Sequence, residues 1–178
     1  MSKTWVYSDP HFYHHNIVKF TVNDGEPLRP WDDAVQMTED LIAWYNELVS
    51  DDDRVYILGD VAFTARAMRD SVGRLKGRKV LVKGNHDPDK HREMYNELFD
   101  DVRAYVVKKG FIMSHIPIHP QSLSRWELNI HGHLHAYNIG LEQTDNWVKD
   151  RRYRCVCVEQ TNFRPVLLDD ILKEHGLR

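Results

Sequence analysis

Apolar and polar residues alternate along the chain in two patterns, and the first pattern predicts strands. Short runs rich in valine, isoleucine, leucine and aromatic residues are bounded by polar or turn-forming residues, which is typical of buried β-strands. These runs cover residues 4–8, 54–58, 79–83, 102–108, 111–114, 128–131, 154–159 and 165–168. The Lys-Lys-Gly sequence at residues 108–110 predicts a hairpin turn.

The second pattern repeats every three or four residues and predicts helices. In residues 37–49 the apolar face consists of Leu41, Trp44, Tyr45 and Leu48. Asp33 and Thr38 are candidate caps of this helix. Further helices are predicted over residues 64–75, 89–98 and 169–175.

The order of these elements predicts an α/β fold. Strand and helix alternate in the first half of the chain, which favours a parallel or mixed sheet. The second half carries hairpin signals, which favour antiparallel strands. No repeat, low-complexity tract or linker interrupts the sequence, so we expect a single domain over residues 1–178.

A side chain able to bind a metal ion follows each of five predicted strands. The residues are Asp9, His11, Asp60, Asn85, His115, His133 and His135. In open α/β sheets, ligands bind in the crevice outside the carboxyl ends of the strands, so these distant residues are expected to converge. Each motif alone also fits a turn or the start of a loop, because Gly-Asp is a common turn dipeptide.

The chemistry of this set favours a pair of metal ions. It combines carboxylate, imidazole and amide groups without a thiolate, which suits Mn²⁺, Fe²⁺, Co²⁺, Ni²⁺ or Zn²⁺. The ligands are too many for one tetrahedral ion, whereas two ions that share a carboxylate would use them all. Gly59, Gly84 and Gly132 precede three of the motifs and allow sharp turns.

Composition limits the class of protein further. The 178 residues are 42% hydrophobic and carry a net charge of −3, which disfavours bulk nucleic acid or an anionic membrane as the partner. The N-terminus lacks the pattern of a signal peptide, and no apolar run is long enough to cross a bilayer. Cys155 and Cys157 are expected to be reduced core residues of a cytoplasmic protein.

One basic stretch contains aromatic residues and would permit contact with a nucleotide or a single strand. It consists of Trp147, Lys149, Arg151, Arg152, Tyr153 and Arg154. The alternative is a solvated turn, which is more common for such a stretch and agrees with the low net charge.

Taken together, the five motifs resemble the signature of the calcineurin-like metallophosphoesterase superfamily. That signature reads Asp-x-His, Gly-Asp, Gly-Asn-His-Asp, His and Gly-His-x-His, and the resemblance extends from residue 5 to about residue 168. The chain also resembles a small single-domain subgroup known mainly from bacteria and phages. The resemblance implies a four-layer αββα sandwich of two mixed β-sheets flanked by helices, with a dimetal site at the C-terminal ends of the strands.

The resemblance also implies roles for individual residues. One ion would be bound by Asp9, His11, Asp60 and His135, and the second by Asp60, Asn85, His115 and His133. His86 resembles the catalytic histidine, and Asp87 would either orient His86 or cap the following helix. His14 and His119 are candidate substrate contacts, and packing against Pro120 is the alternative for His119. Two divalent cations are expected, Mn²⁺ first, with Fe, Zn, Co or Ni as alternatives.

The implied activity is metal-dependent hydrolysis of phosphodiesters or phosphomonoesters, in which a hydroxide that bridges the ions attacks phosphorus in line. The alternatives are a nuclease or cyclic-nucleotide phosphodiesterase, and a non-catalytic metal-binding scaffold on the same fold. Asp60 is followed by Val61, Ala62 and Phe63, where Ser/Thr protein phosphatases have another Asp and an Arg, so that branch is disfavoured. The short chain leaves no room for a large capping domain, and we expect a small phosphoester or nucleotide substrate.

Overall fold

A computed structural model describes residues 2–141 and 148–177. Its strands are β1 (Thr4–Tyr7), β2 (Arg54–Ile57), β3 (Arg78–Val82), β4 (Asp101–Arg103), β5 (Tyr105–Lys108), β6 (Phe111–Ser114), β7 (Leu128–His131), β8 (Gly140–Leu141), β9 (Val148–Lys149), β10 (Tyr153–Cys155) and β11 (Val166–Leu167). Its α-helices are α1 (Ala34–Leu48), α2 (Ala65–Val72), α3 (Arg92–Leu98) and α4 (Leu168–Glu174). Three 3₁₀ helices cover Ile17–Lys19, Pro120–Arg125 and Val158–Gln160.

The first sheet has five strands in the order β11–β1–β2–β3–β4. Strands β1 to β4 are mutually parallel, as the alternation of strand and helix predicts, and β11 is antiparallel to β1. Tyr7 pairs with Ile57, and Ile57 pairs with Leu81. The C-terminal ends of these three strands therefore lie side by side at one edge of the sheet.

The second sheet has four strands in the order β10–β7–β6–β5. Strands β5 and β6 form the predicted antiparallel hairpin. The expectation of antiparallel strands is wrong for β6, β7 and β10, which are parallel. The reason is the crossover containing the 3₁₀ helix Pro120–Arg125, which returns the chain to the edge where β6 began. Strands β8 and β9 form a separate two-stranded hairpin.

Two predicted strands have different boundaries in the structure. The run over residues 102–108 is not one strand, because β4 pairs with β3 in the first sheet and β5 pairs with β6 in the second. The run over residues 154–159 ends early, since β10 stops at Cys155 and a 3₁₀ helix begins at Val158. Apolar periodicity does not record a change of sheet or a tight turn, and both errors have this origin.

All four predicted helices are present, with ends that differ from the predictions by up to three residues. Helix α1 begins after Asp33, whose carboxylate accepts a hydrogen bond from the Gln36 amide at 3.0 Å. Thr38 lies inside the helix and donates to the carbonyl of Ala34, so it is not the cap. The helix predicted over residues 89–98 begins only at Arg92.

The two sheets pack face to face, and helices cover the outer face of the first sheet. The core between the sheets includes Val6, Tyr56, Val80, Met113, Leu128 and Ile130, all buried. The other face of the first sheet packs against α1, α2 and α3 through Met37, Leu41, Met68 and Met94. Leu123, in a 3₁₀ helix, packs with Ile112 and Tyr153 of the second sheet. The predicted class, two mixed sheets flanked by helices, is confirmed.

Within the described ranges, no helix has both the length and the apolar character that crossing a bilayer requires.

Asp53 joins the beginnings of β1 and β2, which gives a test of the fold. Its buried carboxylate accepts hydrogen bonds from the Lys3 amide at 2.7 Å, the Ser50 amide at 3.0 Å and the Trp5 indole at 3.0 Å. We expect Asp53→Ala to lower the free energy of unfolding in urea by about 1–3 kcal/mol, because three donors lose their acceptor. Asp52→Ala, at the exposed neighbouring position, is the control.

The difference in unfolding free energy between wild type and Asp53→Ala should depend on pH. Burial raises the pKa of Asp53, but hydrogen bonds from Lys3 and Ser50 outweigh burial and hold it below its usual value. A depressed folded-state pKa stabilises the protein above the unfolded value of about 3.9. The difference in stability between wild type and Asp53→Ala should therefore be constant above about pH 5 and shrink as pH falls through the folded-state pKa. A difference that grows on acidification would contradict this account.

Candidate metal centre

The seven residues predicted to bind metal converge at one edge of the molecule, where the carboxylates and imidazoles form two groups and Asn85 Oδ1 lies 2.9 Å from His115 Nε2. One group is Asp9, His11 and His135, and the other is Asp60, His115 and His133. Within each group, the potential ligand atoms all lie within 4.8 Å of one another. They follow β1, β2, β6 and β7, so both sheets contribute to the centre.

Asp60 belongs to the second group and also lies close to His11 of the first group. Its Oδ2 atom is 3.4 Å from His115 Nε2 in its own group and 3.7 Å from His11 Nε2 in the other. Its Oδ1 atom accepts a hydrogen bond from the His86 amide at 2.9 Å. This carboxylate is therefore placed to contact ions in both groups, as a bridging ligand does.

The backbone is left-handed at most of these positions. The φ angles are 56° at Asp9, 50° at His11, 50° at Asp60, 69° at His133 and 50° at His135. Each such conformation costs about 1–3 kcal/mol for a residue with a side chain. Strained residues of this kind gather at functional sites, where the surrounding structure enforces them, and here five of them surround one centre.

A close approach between two loops explains why residue 59 is a glycine. A Cβ atom at Gly59 would lie 2.5 Å from the Gly84 amide nitrogen and 2.7 Å from His115 Nδ1. Gly59 also has a φ of 85°, which an L-residue rarely adopts. The loops that carry Asp60 and Asn85 can be adjacent only because this position has no side chain.

The carboxylate of Asp9 is fixed from several sides. It accepts hydrogen bonds from the His133 amide at 3.0 Å and from the Ser8 hydroxyl, and the Cys157 thiol lies 3.2 Å from Oδ2. Burial raises the pKa of Asp9, an effect opposed by His115 and these donors. Cys155 and Cys157 are free and buried, as the sequence predicts, with their sulfur atoms 3.4 Å apart.

The nitrogen and oxygen atoms around His115 suit a cation. Nδ1 lies 2.7 Å from the Leu58 carbonyl and donates to it, which directs Nε2 toward Asn85 Oδ1 at 2.9 Å and toward Asp60. Without a proton or a cation, these lone pairs would repel one another. Burial lowers the pKa of His115, but the hydrogen bond to Asp60 and the charges of Asp9 and Asp60 together outweigh burial and raise the pKa to about 9. In the metal-free protein a proton therefore occupies the position that suits a cation.

His11 also suits a metal ion, but for a different reason. The ring is buried, and neither ring nitrogen has a hydrogen-bond partner among the described residues. Burial, together with the positive charge of Arg29, holds the pKa of His11 well below its usual value. A neutral imidazole has one N–H donor and one nitrogen lone pair, and burying an unpaired lone pair is costly. A divalent cation would bind that lone pair.

A buried ion pair behind His135 was not predicted from the sequence. Glu159 Oε1 lies 2.9 Å from His135 Nδ1 and accepts hydrogen bonds from Arg29 Nε at 2.8 Å and Nη2 at 2.7 Å. Arg29 also donates to the carbonyls of Asp9 and Pro10, each at 2.7 Å. The Glu159 carboxylate fixes the His135 tautomer and directs Nε2 toward the first group.

Burial and neighbouring charges have opposite effects on the pKa values of Glu159 and His135. Burial raises the pKa of Glu159, but the charge of Arg29 and the interaction with His135 together outweigh burial and lower it. Burial lowers the pKa of His135, but the hydrogen bond to Glu159 and the charges of Glu159 and Asp9 together outweigh burial and raise it. Arg29 and Glu159 are 130 positions apart, so no motif spacing connects them. The one available signal was a glutamate within an apolar run that was predicted to be a buried strand.

The role of Asp87 differs from both predicted alternatives. Its buried carboxylate accepts hydrogen bonds from three backbone amides, of Asp60 at 3.1 Å, Val61 at 2.8 Å and Gly84 at 2.8 Å. It caps no helix, because α3 begins at Arg92, and no hydrogen bond among the described residues joins it to His86. Asp87 instead joins the loops that carry Asp60 and Asn85.

The three remaining candidate histidines occupy different positions. His86 is exposed, with its ring centroid 5.9 Å from that of His11. His14 is partly buried, 5.6 Å from the same ring. His119 is exposed, and its Nδ1 accepts a hydrogen bond from the Gln121 amide at 3.3 Å at the start of a 3₁₀ helix. The structure thus gives His119 a capping role.

The basic stretch near residue 150 is only partly described. Trp147 lies outside the described residues. Tyr153 is 2% exposed and donates its hydroxyl to the Ile118 carbonyl, so it offers no stacking surface. Arg152 pairs with Asp150, with the closest contact at 2.6 Å.

Fold and site together define a mixed α/β protein with a candidate dimetal centre at the C-terminal ends of its strands. The profile of the calcineurin-like phosphoesterase family matches residues 2–177, and the chain belongs to that family.

The chain is also similar to individual proteins. An uncharacterized protein of Methanocaldococcus jannaschii is 33% identical over 97% of this chain and 91% of its own length. The crystal structure of a protein of unknown function from Aquifex aeolicus superposes with a TM-score of 0.71 and 26% identity, covering 98% of this chain and 100% of that one. A nuclease of Pseudomonas putida has a TM-score of 0.47 and 20% identity over 74% of this chain and 61% of its own, a likeness too distant to indicate a shared substrate.

The Glu159 contact yields a prediction about metal affinity. Removing the charge in Glu159→Gln leaves Arg29 buried without a counter-ion and weakens the orientation of His135. We expect the Kd for Mn²⁺, measured by calorimetry on metal-free protein, to rise about 10–100-fold. Glu174→Gln, which removes only the exposed ion pair with Arg154, is the matched control. Equal affinities in the two folded variants would contradict the role of Glu159.

Proposed function

We propose that this protein is a metal-dependent phosphoesterase that hydrolyses phosphodiester or phosphomonoester bonds with two divalent cations. The observation that carries the proposal is the pair of ligand groups on either side of Asp60, at an edge where His86 is exposed. Asp9, His11, Asp60 and His135 would hold one ion. Asp60, Asn85, His115 and His133 would hold the other.

The charge of such a centre suits a phosphate ester. Asp9 and Asp60 supply two negative charges, and the remaining ligands are neutral when a metal is bound. Bound divalent cations would supply excess positive charge for the phosphate and lower the pKa of water. Asn85 contributes an oxygen without adding negative charge, so the site stays attractive to an anion. We propose Mn²⁺, with Fe, Zn, Co or Ni as alternatives, because the set mixes nitrogen and oxygen.

His86 is the residue of this chain that we propose acts on the substrate. Its backbone is fixed by the hydrogen bond to Asp60, and its exposed ring borders the first ligand group. Protonated, the imidazole would hydrogen-bond a phosphate oxygen or give its proton to the leaving oxygen as the P–O bond breaks. It belongs to neither group of potential ligands, so it is free for this role.

The alternative of a non-catalytic scaffold has weaker support. Every residue of the five motifs is present, and the histidine proposed to act on substrate is exposed. A panel of aryl monoester, aryl diester, 2′,3′- and 3′,5′-cyclic nucleotides, and short DNA and RNA, each with Mn²⁺, separates the possibilities. A protein that binds two ions and hydrolyses none of these would be a scaffold.

Metal removal should abolish activity. Treatment with a chelator followed by dialysis should leave a folded protein that does not hydrolyse bis(p-nitrophenyl) phosphate, and Mn²⁺ should restore turnover. Elemental analysis should give two ions per chain in wild type. Asp60→Asn should lose both, because that carboxylate is shared. Full turnover by protein shown to be metal-free would refute the proposal.

His86→Ala should separate metal binding from turnover. We expect this variant to keep two ions and to lose about 10²–10⁴-fold in kcat, the usual contribution of a positioned acid or base. His91→Ala, at an exposed histidine before α3, is the matched control and should behave as wild type. A metal-replete and fully active His86→Ala protein would eliminate the role.

A further inference from the structure

An exposed aromatic surface adjoins the candidate metal centre. Phe63 is 41% exposed and Phe20 is 49% exposed. The His14 ring lies between them, with its centroid 4.4 Å from that of Phe63 and 6.1 Å from that of Phe20. We call Phe20, His14 and Phe63 the aromatic shelf.

The shelf lies where a group attached to the phosphate would extend. The Phe63 centroid is 4.6 Å from that of His86 and 5.6 Å from that of His11. A cavity of about 230 Å³ beside Phe63 is lined by Phe12, Tyr13, His14, Thr64 and Ala67 among others. A substrate whose phosphate faces His86 would therefore have an aromatic and apolar surface within reach of its next group.

A phosphate group alone does not account for this surface. Exposed phenylalanine forgoes the free energy of burial, about 25 cal/mol for each Å² of apolar area. Two such residues flank a site whose other groups are polar or charged. Large apolar side chains exposed together commonly mark a binding surface. A flat ring of the substrate would cover these exposed side chains, because aromatic side chains stack on other π-systems.

We propose that the aromatic shelf stacks the base of a nucleotide, so that the preferred substrates are nucleotidyl phosphodiesters. This inference rests on the proposed phosphoesterase activity and adds the substrate class. A free nucleotide ester and the terminal nucleotide of a single strand present the same phosphate, sugar and base. Phe63 stacks on the base, and its neighbour His86 faces the phosphate.

A second apolar cleft offers an internal comparison. It adjoins Asn85 and His115, has a volume of about 360 Å³, and includes the exposed side chains of Tyr105 and Ile116. Its apolar side chains are those of Ala104, Tyr105, Ile112, Ile116 and Ile118, and Phe63 is not among its lining residues. If the base binds beside Phe63, substitution of Phe63 should weaken base recognition and substitution of Tyr105 should not. If the base binds in the second cleft, the reverse should hold.

The test compares two esters with the same chromogenic leaving group. Thymidine 5′-(p-nitrophenyl phosphate) carries a base, whereas methyl p-nitrophenyl phosphate does not. With Mn²⁺ present, we expect wild type to have the higher kcat/KM for the thymidine ester. Phe63→Leu should lower the ratio of the two kcat/KM values about tenfold, mainly through KM, since one stack is lost. Phe63→Trp should keep the ratio, and Tyr105→Leu is the matched control.

Several results would overturn the proposal, and they are distinguishable. If Phe63→Leu slows both esters equally, Phe63 only supports His86. If Tyr105→Leu lowers the ratio instead, the base binds in the other cleft. A wild-type ratio near one refutes base recognition while leaving the phosphoesterase intact. If neither diester is hydrolysed but an aryl phosphomonoester is, the substrate class is refuted and the phosphoesterase proposal stands. If no ester is hydrolysed, both proposals are refuted.

Competition identifies the source of the nucleotide. Thymidine 5′-monophosphate and a short oligothymidylate are tested as inhibitors of methyl p-nitrophenyl phosphate hydrolysis. Tighter inhibition by the oligomer assigns the shelf to the end of a single strand, and equal inhibition assigns it to a free nucleotide. Either inhibition should weaken about tenfold in Phe63→Leu. Inhibition that is unaffected by Phe63→Leu would contradict the proposal.

Discussion

The position of the Asp60 carboxylate between two groups of ligands is the constraint on which the rest of the centre depends. Burial raises the pKa of Asp60, but His115 and the His86 amide outweigh burial and lower it to about 2, so the charge is retained inside the protein. A buried charge requires organised partners. Asp87 supplies that organisation indirectly, because its own carboxylate binds the amides of Asp60, Val61 and Gly84.

The two sheets are joined at the same edge. The Asp9 carboxylate, at the end of β1, accepts the amide hydrogen of His133, which follows β7 in the other sheet. Ser8 and Cys157 form an isolated parallel bridge beside it. The interaction between the sheets and the geometry of the centre therefore depend on the same contacts. The strain of five left-handed residues is offset locally by these hydrogen bonds.

The surroundings of the centre divide into a buried polar side and an exposed aromatic side. Behind His135, Glu159 and Arg29 form an ion pair whose charges are almost completely removed from solvent. In front, Phe63 and Phe20 remain exposed next to His86. The first arrangement fixes a ligand that a metal would use. The second leaves an apolar surface beside His86, and the proposed stacking of a base depends on this surface.

The sequence by itself determined the class of fold and the identity of the residues at the strand ends, because apolar periodicity and motif order are local properties. It placed Asp9, Asp60, His115 and His133 correctly at the carboxyl ends of strands. Only the tertiary structure decided that the run at residues 102–108 divides between two sheets, that Asp87 binds three amides, and that Glu159 meets Arg29. These features depend on contacts between residues far apart in the chain, and such contacts leave no periodic or spaced signal in the sequence.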